Sequence, residues 1–218
     1  MEENKTGNFW KGVNLAGTAI MINLAFLICC IPVVTIGPAI CGMYSALRYV
    51  VRGNGWFDGF KVGIKKNFVR NALVSAVLLF MLVDMAINFE AALSFYMEGK
   101  GYMPLVIYSV GLLPLLMVFS ALWPLHVFIP YETGTDWIKD SLKLLVKAPV
   151  QLVIVSALML LPVALVLYIP AIGFMLAIVF LAIYYVLMTF VAILLLKTPL
   201  EDRLGAYRET HPQEEEKE

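Results

Sequence analysis

The chain has 218 residues, of which 61% are hydrophobic and only 15% charged, with 16 basic side chains against 16 acidic ones and a mean hydropathy of +0.84. A single soluble domain cannot bury that much apolar surface, and the excess is gathered in long uncharged runs, so lipid is the expected solvent for most of the chain. Spanning a hydrocarbon core of roughly 30 Å takes about 20 apolar residues as a helix, because every backbone amide must be satisfied inside the segment.

The first run, Val13 to Val51, holds Arg48 as its only charge. As one helix it would reach about 58 Å at ~1.5 Å per residue, nearly two core thicknesses. Pro32, Gly37 and Pro38 in "IPVVTIGPA" offer the break. They divide the run into a first crossing (about Val13 to Ile31) and a short second one (about Pro38 to Arg52), with a non-helical reversal as the structural joint between them. Asn71 to Tyr96 reads as a third crossing and Met103 to Ile129 as a fourth. Val150 to Leu196 has no charged residue and is long enough for two more, with "YIPAIG" at Tyr168 to Gly173 as the turn. The expectation is six crossings, or five if the short second segment is re-entrant. The first apolar run continues past the length of a cleavable signal and lacks a small-residue cleavage pattern, so it is expected to stay.

Basic residues set the orientation. With both ends inside, 15 of the 16 Lys and Arg fall in cytoplasmic segments and only Lys100 lies outside. A multi-pass bacterial cytoplasmic-membrane protein with both termini cytoplasmic is therefore expected. Its transmembrane domain would span residues 1–197, and the charged residues 198–218 would form a disordered cytoplasmic tail.

Trp56 to Phe80, "WFDGFKVGIKKNFVRNALVSAVLLF", has an echo eighty-one residues later in Trp137 to Leu161, "WIKDSLKLLVKAPVQLVIVSALMLL". Upstream, "YSALRY" at Tyr44 matches "FSALWP" at Phe119. Two crossings per unit preserve orientation, so the pattern is a weak parallel repeat, with units at about 38–97 and 103–169. Each unit contains a basic segment with helical periodicity. Phe57, Phe60, Ile64 and Phe68 share one face in the first, and Ile138, Leu142 and Leu145 oppose Lys139, Lys143 and Lys147 in the second. Asp136 and Asp140 each precede a lysine by three residues. Both segments are expected to be amphipathic helices on the inner leaflet. Trp56, Lys61, Lys65, Lys66, Arg70, Trp137, Lys139, Lys143 and Lys147 would then anchor the topology or contact anionic lipid or a partner.

Within the apolar runs the polar residues are Asn23, Asp84, Asn88, Glu90 and His126. Intramembrane carboxylates are costly, and Asp84 and Asn88 share a face at i, i+4, so Asp84, Asn88, Glu90 and Asn23 form the candidate polar site, either structural or interfacial, since Asp84 and Glu90 fall in the outer half of their segment within reach of water, or on a solute or proton path. Gly42 with Ala46 and Gly173 with Ala177 are small pairs suited to close helix packing. Cys29, Cys30 and Cys41 have no ligand spacing and read as packing residues. Signatures of hydrolases, zinc peptidases and phosphate-binding loops are absent, and no catalytic residue, metal or cofactor is expected. Nor is a nucleic-acid partner.

"CCIPVVTIGPAICGMYSALRYVVRGNGWFDGFKVGIKKNFVRN" resembles the start of the YesL-like family of uncharacterised bacterial membrane proteins. Its pattern joins an apolar helix, Pro-Val/Ile-Val-Thr-Ile-Gly-Pro-Ala, a Tyr-containing helix ending in Arg, a Gly-rich turn and a Phe/Lys-rich segment. The resemblance implies a non-enzymatic accessory or regulatory role beside an ABC-type carbohydrate uptake system or its sensor, and it carries over no catalytic residues. The alternative is a small-solute transporter or channel with a pathway near Asp84 and Asn88.

Overall fold

The computed structural model describes the backbone of residues 2–129, 131, 134–168 and 170–210, and the side chains of 14–129, 131, 135–161 and 184–205. The described chain is all-helical. Its helices are α1 (Glu2–Cys30), α2 (Ile36–Val51), α3 (Trp56–Lys65), α4 (Phe68–Met97), α5 (Met103–Phe128), α6 (Gly134–Lys147), α7 (Pro149–Tyr168) and α8 (Pro170–Thr210), with one 3-10 turn at Val33–Thr35.

Among the described residues four helical stretches are long and apolar enough to cross a membrane: Val33–Val51, Phe68–Met97, Met103–Phe128 and Tyr184–Gly205. A fifth is counted if Thr135–Lys147 and Pro149–Leu161, bent by 106°, are taken as one span. With the 3-10 turn the second segment reaches 19 residues, and α1 is helical from Glu2 to Cys30, of which Asn14–Cys30 has described side chains.

The joint in "IPVVTIGPA" is smaller than expected. The chain leaves α1 at Cys30, bends at Ile31 and Pro32, makes the 3-10 turn and is helical again from Ile36. Pro38 therefore lies in the first turn of α2, where its missing N–H forfeits no intrahelical bond. The Thr35 hydroxyl closes the joint by donating to the carbonyls of Pro32 and Cys29. Gly37 is also inside α2, and its role is steric, because a Cβ there would lie 2.5 Å from Trp123 Cη2 and 2.6 Å from Ser75 Cβ.

The Gly53–Gly55 turn returns the chain so that α3 packs back along α2. Gly53 takes a positive φ of 79°, and Asn67, which joins α3 to α4, takes 52°. Both are residues that tolerate the left-handed region. The close approach rests on small residues. A Cβ on Gly63 would sit 2.5 Å from the Cys41 carbonyl oxygen, and one on Gly59 would sit 2.7 Å from the Tyr49 side chain. The first basic segment is thus one arm of a helical hairpin. Of its expected apolar face only Phe60 is buried, Ile64 is half-buried, and Phe57 and Phe68 are exposed.

α6 meets α7 nearly at a right angle and packs on α5. It buries Trp137, Ser141, Leu144 and the following Ala148, while Ile138 and Leu142 remain exposed beside Lys139, Lys143 and Lys147. Lys139 reaches Asp136 at 3.4 Å and Lys143 reaches Asp140 at 2.9 Å, as the i, i+3 spacing anticipates.

The two halves share one internal contact. Ser75, on α4, accepts a hydrogen bond from Gly37 N of α2 at 3.0 Å, and Ser156, on α7, bonds Ser120 of α5 at 2.6 Å. In each half the serine of Val-Ser-Ala ties the third helix of the unit to its first. α8 continues through Pro199 to Thr210; residues 211–218 lie outside the described residues. The pair Gly173 and Ala177 belongs to α8, among residues whose side chains are not described.

Candidate functional site

The densest polar assembly forms where α4, α5 and α6 meet. α4 begins just after the left-handed Asn67, which turns Lys66 and Arg70 toward the end of α5. Lys66 Nζ donates to the His126 carbonyl at 3.4 Å, and Arg70 Nη2 lies 3.3 Å from His126 Nδ1. Arginine only donates, so Nδ1 accepts and the network assigns the ring proton to Nε2. The Arg70 guanidinium also stands 5.4 Å from the Trp137 ring centroid, a cation–π distance.

Trp137 is the centre of this cluster. Its ring lies 4.7 Å from His126 and 5.9 Å from Trp123, and its Nε1 donates to the Leu122 carbonyl at 2.6 Å. It is fully buried. Trp137 therefore does not anchor at the lipid surface or meet a partner, as its place at the head of a basic segment suggests; it bolts α6 onto α5. Trp56 is half-buried, packed on the core. Asn71 completes the cluster from α4, donating to the Lys66 carbonyl at 2.9 Å and to Cys41 Sγ at 3.6 Å.

Three buried donors here, Arg70 Nε, His126 Nε2 and Trp123 Nε1, have no hydrogen-bond partner among the described residues. The assembly is rich in donors, and its members are locked by ring contacts and main-chain bonds. It offers no nucleophile paired with a base, and its physical effect is to fix three helices at one level. Among the described residues no cluster of His, Cys, Asp or Glu is grouped to hold a metal ion.

The candidate polar residues of the apolar runs do not converge. Asn23 is fully buried on α1. Asp84 and Glu90 are exposed on α4, and Asn88 is half-buried and donates to the Asp84 main-chain carbonyl at 2.8 Å rather than to its carboxylate. Asp84 and Asn88 therefore lie on the outward side of α4 in the described bundle. Lys61, Lys65, Lys139, Lys143 and Lys147 are exposed, whereas Lys66 and Arg70 are drawn into the His126 cluster.

The sequence reading missed the organisation of α4. Leu73, Val77, Phe80, Asp84, Ile87 and Ala91 recur at alternating spacings of four and three, and all six are exposed. They belong to a broad exposed face of α4, which also carries Val83, Ala86 and Glu90, with the Asp84 carboxylate near its middle. The signal was present in the sequence, masked because every face of α4 is apolar. The pair Gly59 and Gly63 in "GFKVG" was likewise missed, although four-residue glycine spacing marks close helix contact.

The model of a family described as "Protein of unknown function, DUF624" matches residues 19–89. The match runs from α1 to α4 and takes in the joint, the α2–α3 hairpin, Asn71 and Asp84. No curated protein and no solved structure matches the chain.

Proposed function

We propose that this protein is a non-enzymatic accessory subunit of the bacterial plasma membrane, which acts by pairing α4 with a transmembrane helix of another protein. The observation that carries the reading is the exposed face from Leu73 to Ala91 with Asp84 near its middle. A carboxylate facing hydrocarbon is expensive, and intramembrane charges characteristically face protein or water. A partner helix that supplies a hydrogen-bond donor removes that cost, and the apolar residues of that face pack against it.

The resemblance stated above points to an ABC-type carbohydrate uptake or sensing system as the class of partner. In the proposed topology the chain crosses six times with both ends in the cytoplasm, which puts the exposed lysines of α3 and α6 on the inner side. The near-perpendicular bend between α6 and α7 suits a helix lying along the inner leaflet.

Copurification from native membranes followed by mass spectrometry tests the reading. A membrane partner should be retained by the native chain and by Asp84→Asn, which keeps hydrogen-bonding capacity. It should be lost from the double variant Phe80→Ala, Asp84→Ala. Solute movement by the purified protein alone in liposomes, abolished by Asp84→Asn, would instead establish a transporter.

A further inference from the structure

A partly open cavity of about 300 Å³ lies at the meeting point of α1, α2, α4, α5, α7 and α8. Each of these helices contributes to its wall, among them Phe26, Ile40, Leu82, Phe119, Met159 and Tyr185. Leu79 and Leu82 stand near the middle of α4, and Leu116 and Phe119 near the middle of α5, so the cavity sits at mid-depth of these two helices, and the α1–α2 joint reaches it through Cys30 and Ile36. We propose that it is a binding site for a single hydrocarbon chain, the acyl tail of a membrane lipid or a free fatty acid.

The lining decides the chemistry. Its wall is almost wholly apolar, and the Ser156 hydroxyl is already engaged by Ser120 Oγ and the Leu152 carbonyl. Water needs two to four polar partners to occupy a cavity and does not find them here. The volume is about twice that of the engineered apolar cavity of ~150 Å³ that stays dry and admits benzene. It also reaches the lower end of the range for small-ligand pockets, roughly 300–1,000 Å³. At mid-depth the surrounding medium is itself acyl chain, which enters without desolvating any polar group. The rim supports lateral entry, because Leu160 is exposed and Leu82 and Leu116 are half-buried. Tyr185, its ring packed 5.3 Å from Phe26, and Cys30 also border the space.

The test uses the full chain in vesicles of phosphatidylethanolamine and phosphatidylglycerol that contain a small fraction of phosphatidylglycerol with a mid-chain diazirine. A parallel sample receives a diazirine fatty acid. After irradiation, adducts are mapped by mass spectrometry. Adducts on Leu79, Leu82, Phe119 and Met159 should exceed those on the outward-facing Leu73 and Val77 several-fold. Leu82→Trp should reduce the cavity adducts several-fold while leaving those on Leu73 unchanged. Leu160→Trp, at the exposed rim, is the second variant should Leu82→Trp fail to accumulate. Label from the phospholipid identifies a lipid tail, and label from the fatty acid alone identifies a free acid. Equal labelling of cavity and outward positions, or cavity label indifferent to both tryptophans, overturns the proposal.

Discussion

Gly37 and Ser75 meet where α2 crosses α4, and the backbone N–H of Gly37 donates to the Ser75 hydroxyl at 3.0 Å. The space for any Cβ on Gly37 is taken by Trp123, Ser75 and the Asn71 carbonyl. Gly37→Val should therefore push α2 away from α4 and α5, at a cost of about 1–3 kcal/mol or more from overpacking. Ser75→Ala removes one hydrogen bond and should cost about 1 kcal/mol. The amount of folded protein in membranes and the melting temperature in detergent should fall for both variants, and further for Gly37→Val.

The α2–α3 hairpin gives a second steric prediction. A methyl group on Gly63 would meet main-chain atoms, the Cys41 carbonyl at 2.5 Å and Gly42 Cα at 2.8 Å, which no rotamer change relieves. Gly17, on α1, has nothing within 4 Å of its notional Cβ. Gly63→Ala should lower the melting temperature, whereas Gly17→Ala should leave it unchanged or raise it, since Ala is favoured over Gly in a helix by up to about 1 kcal/mol. Equal effects from the two variants would contradict the packing described for α3.

Trp137 and Trp56 hold corresponding places in the two copies of the repeat but occupy different surroundings. In variants that retain one tryptophan, fluorescence from Trp137 should resist both acrylamide and brominated lipid, while fluorescence from the half-buried Trp56 responds to one of them. Trp137→Phe leaves the Leu122 carbonyl without its indole donor and should destabilise the fold by about 1–3 kcal/mol.

These residues also show what could be read from the sequence. Helix positions followed from run length, proline and glycine, because a membrane admits only self-satisfied backbone. Ser75 and Ser156, at corresponding places in the two copies of the repeat, make equivalent internal contacts, to α2 and to α5, which the repeat alone did not announce. The buried faces were not legible by the same route. In water, apolar periodicity points inward, but lipid is as apolar as a core, so small and hydrogen-bonding side chains mark the interior instead. α6 accordingly buries Trp137 and Ser141 and leaves Ile138 and Leu142 outside. Asp84, a hydrogen-bonding side chain exposed on α4, departs from that rule.

With 15 of 16 basic residues assigned to one side, the α2–α3 turn at Asn54 should face the cytoplasm and the α4–α5 turn at Lys100 should face out. Both turns are exposed, so an introduced cysteine at either is open to reagent. The background requires replacement of Cys29, Cys30 and Cys41, of which Cys41 is buried and accepts a contact from Asn71, so Ala is the least disruptive choice there. In intact cells a membrane-impermeant maleimide should modify Lys100→Cys and spare Asn54→Cys until the membrane is opened. External labelling of Asn54→Cys reverses the orientation. External labelling of a cysteine placed at Asn4, with Asn54→Cys still protected, means that the chain crosses five times.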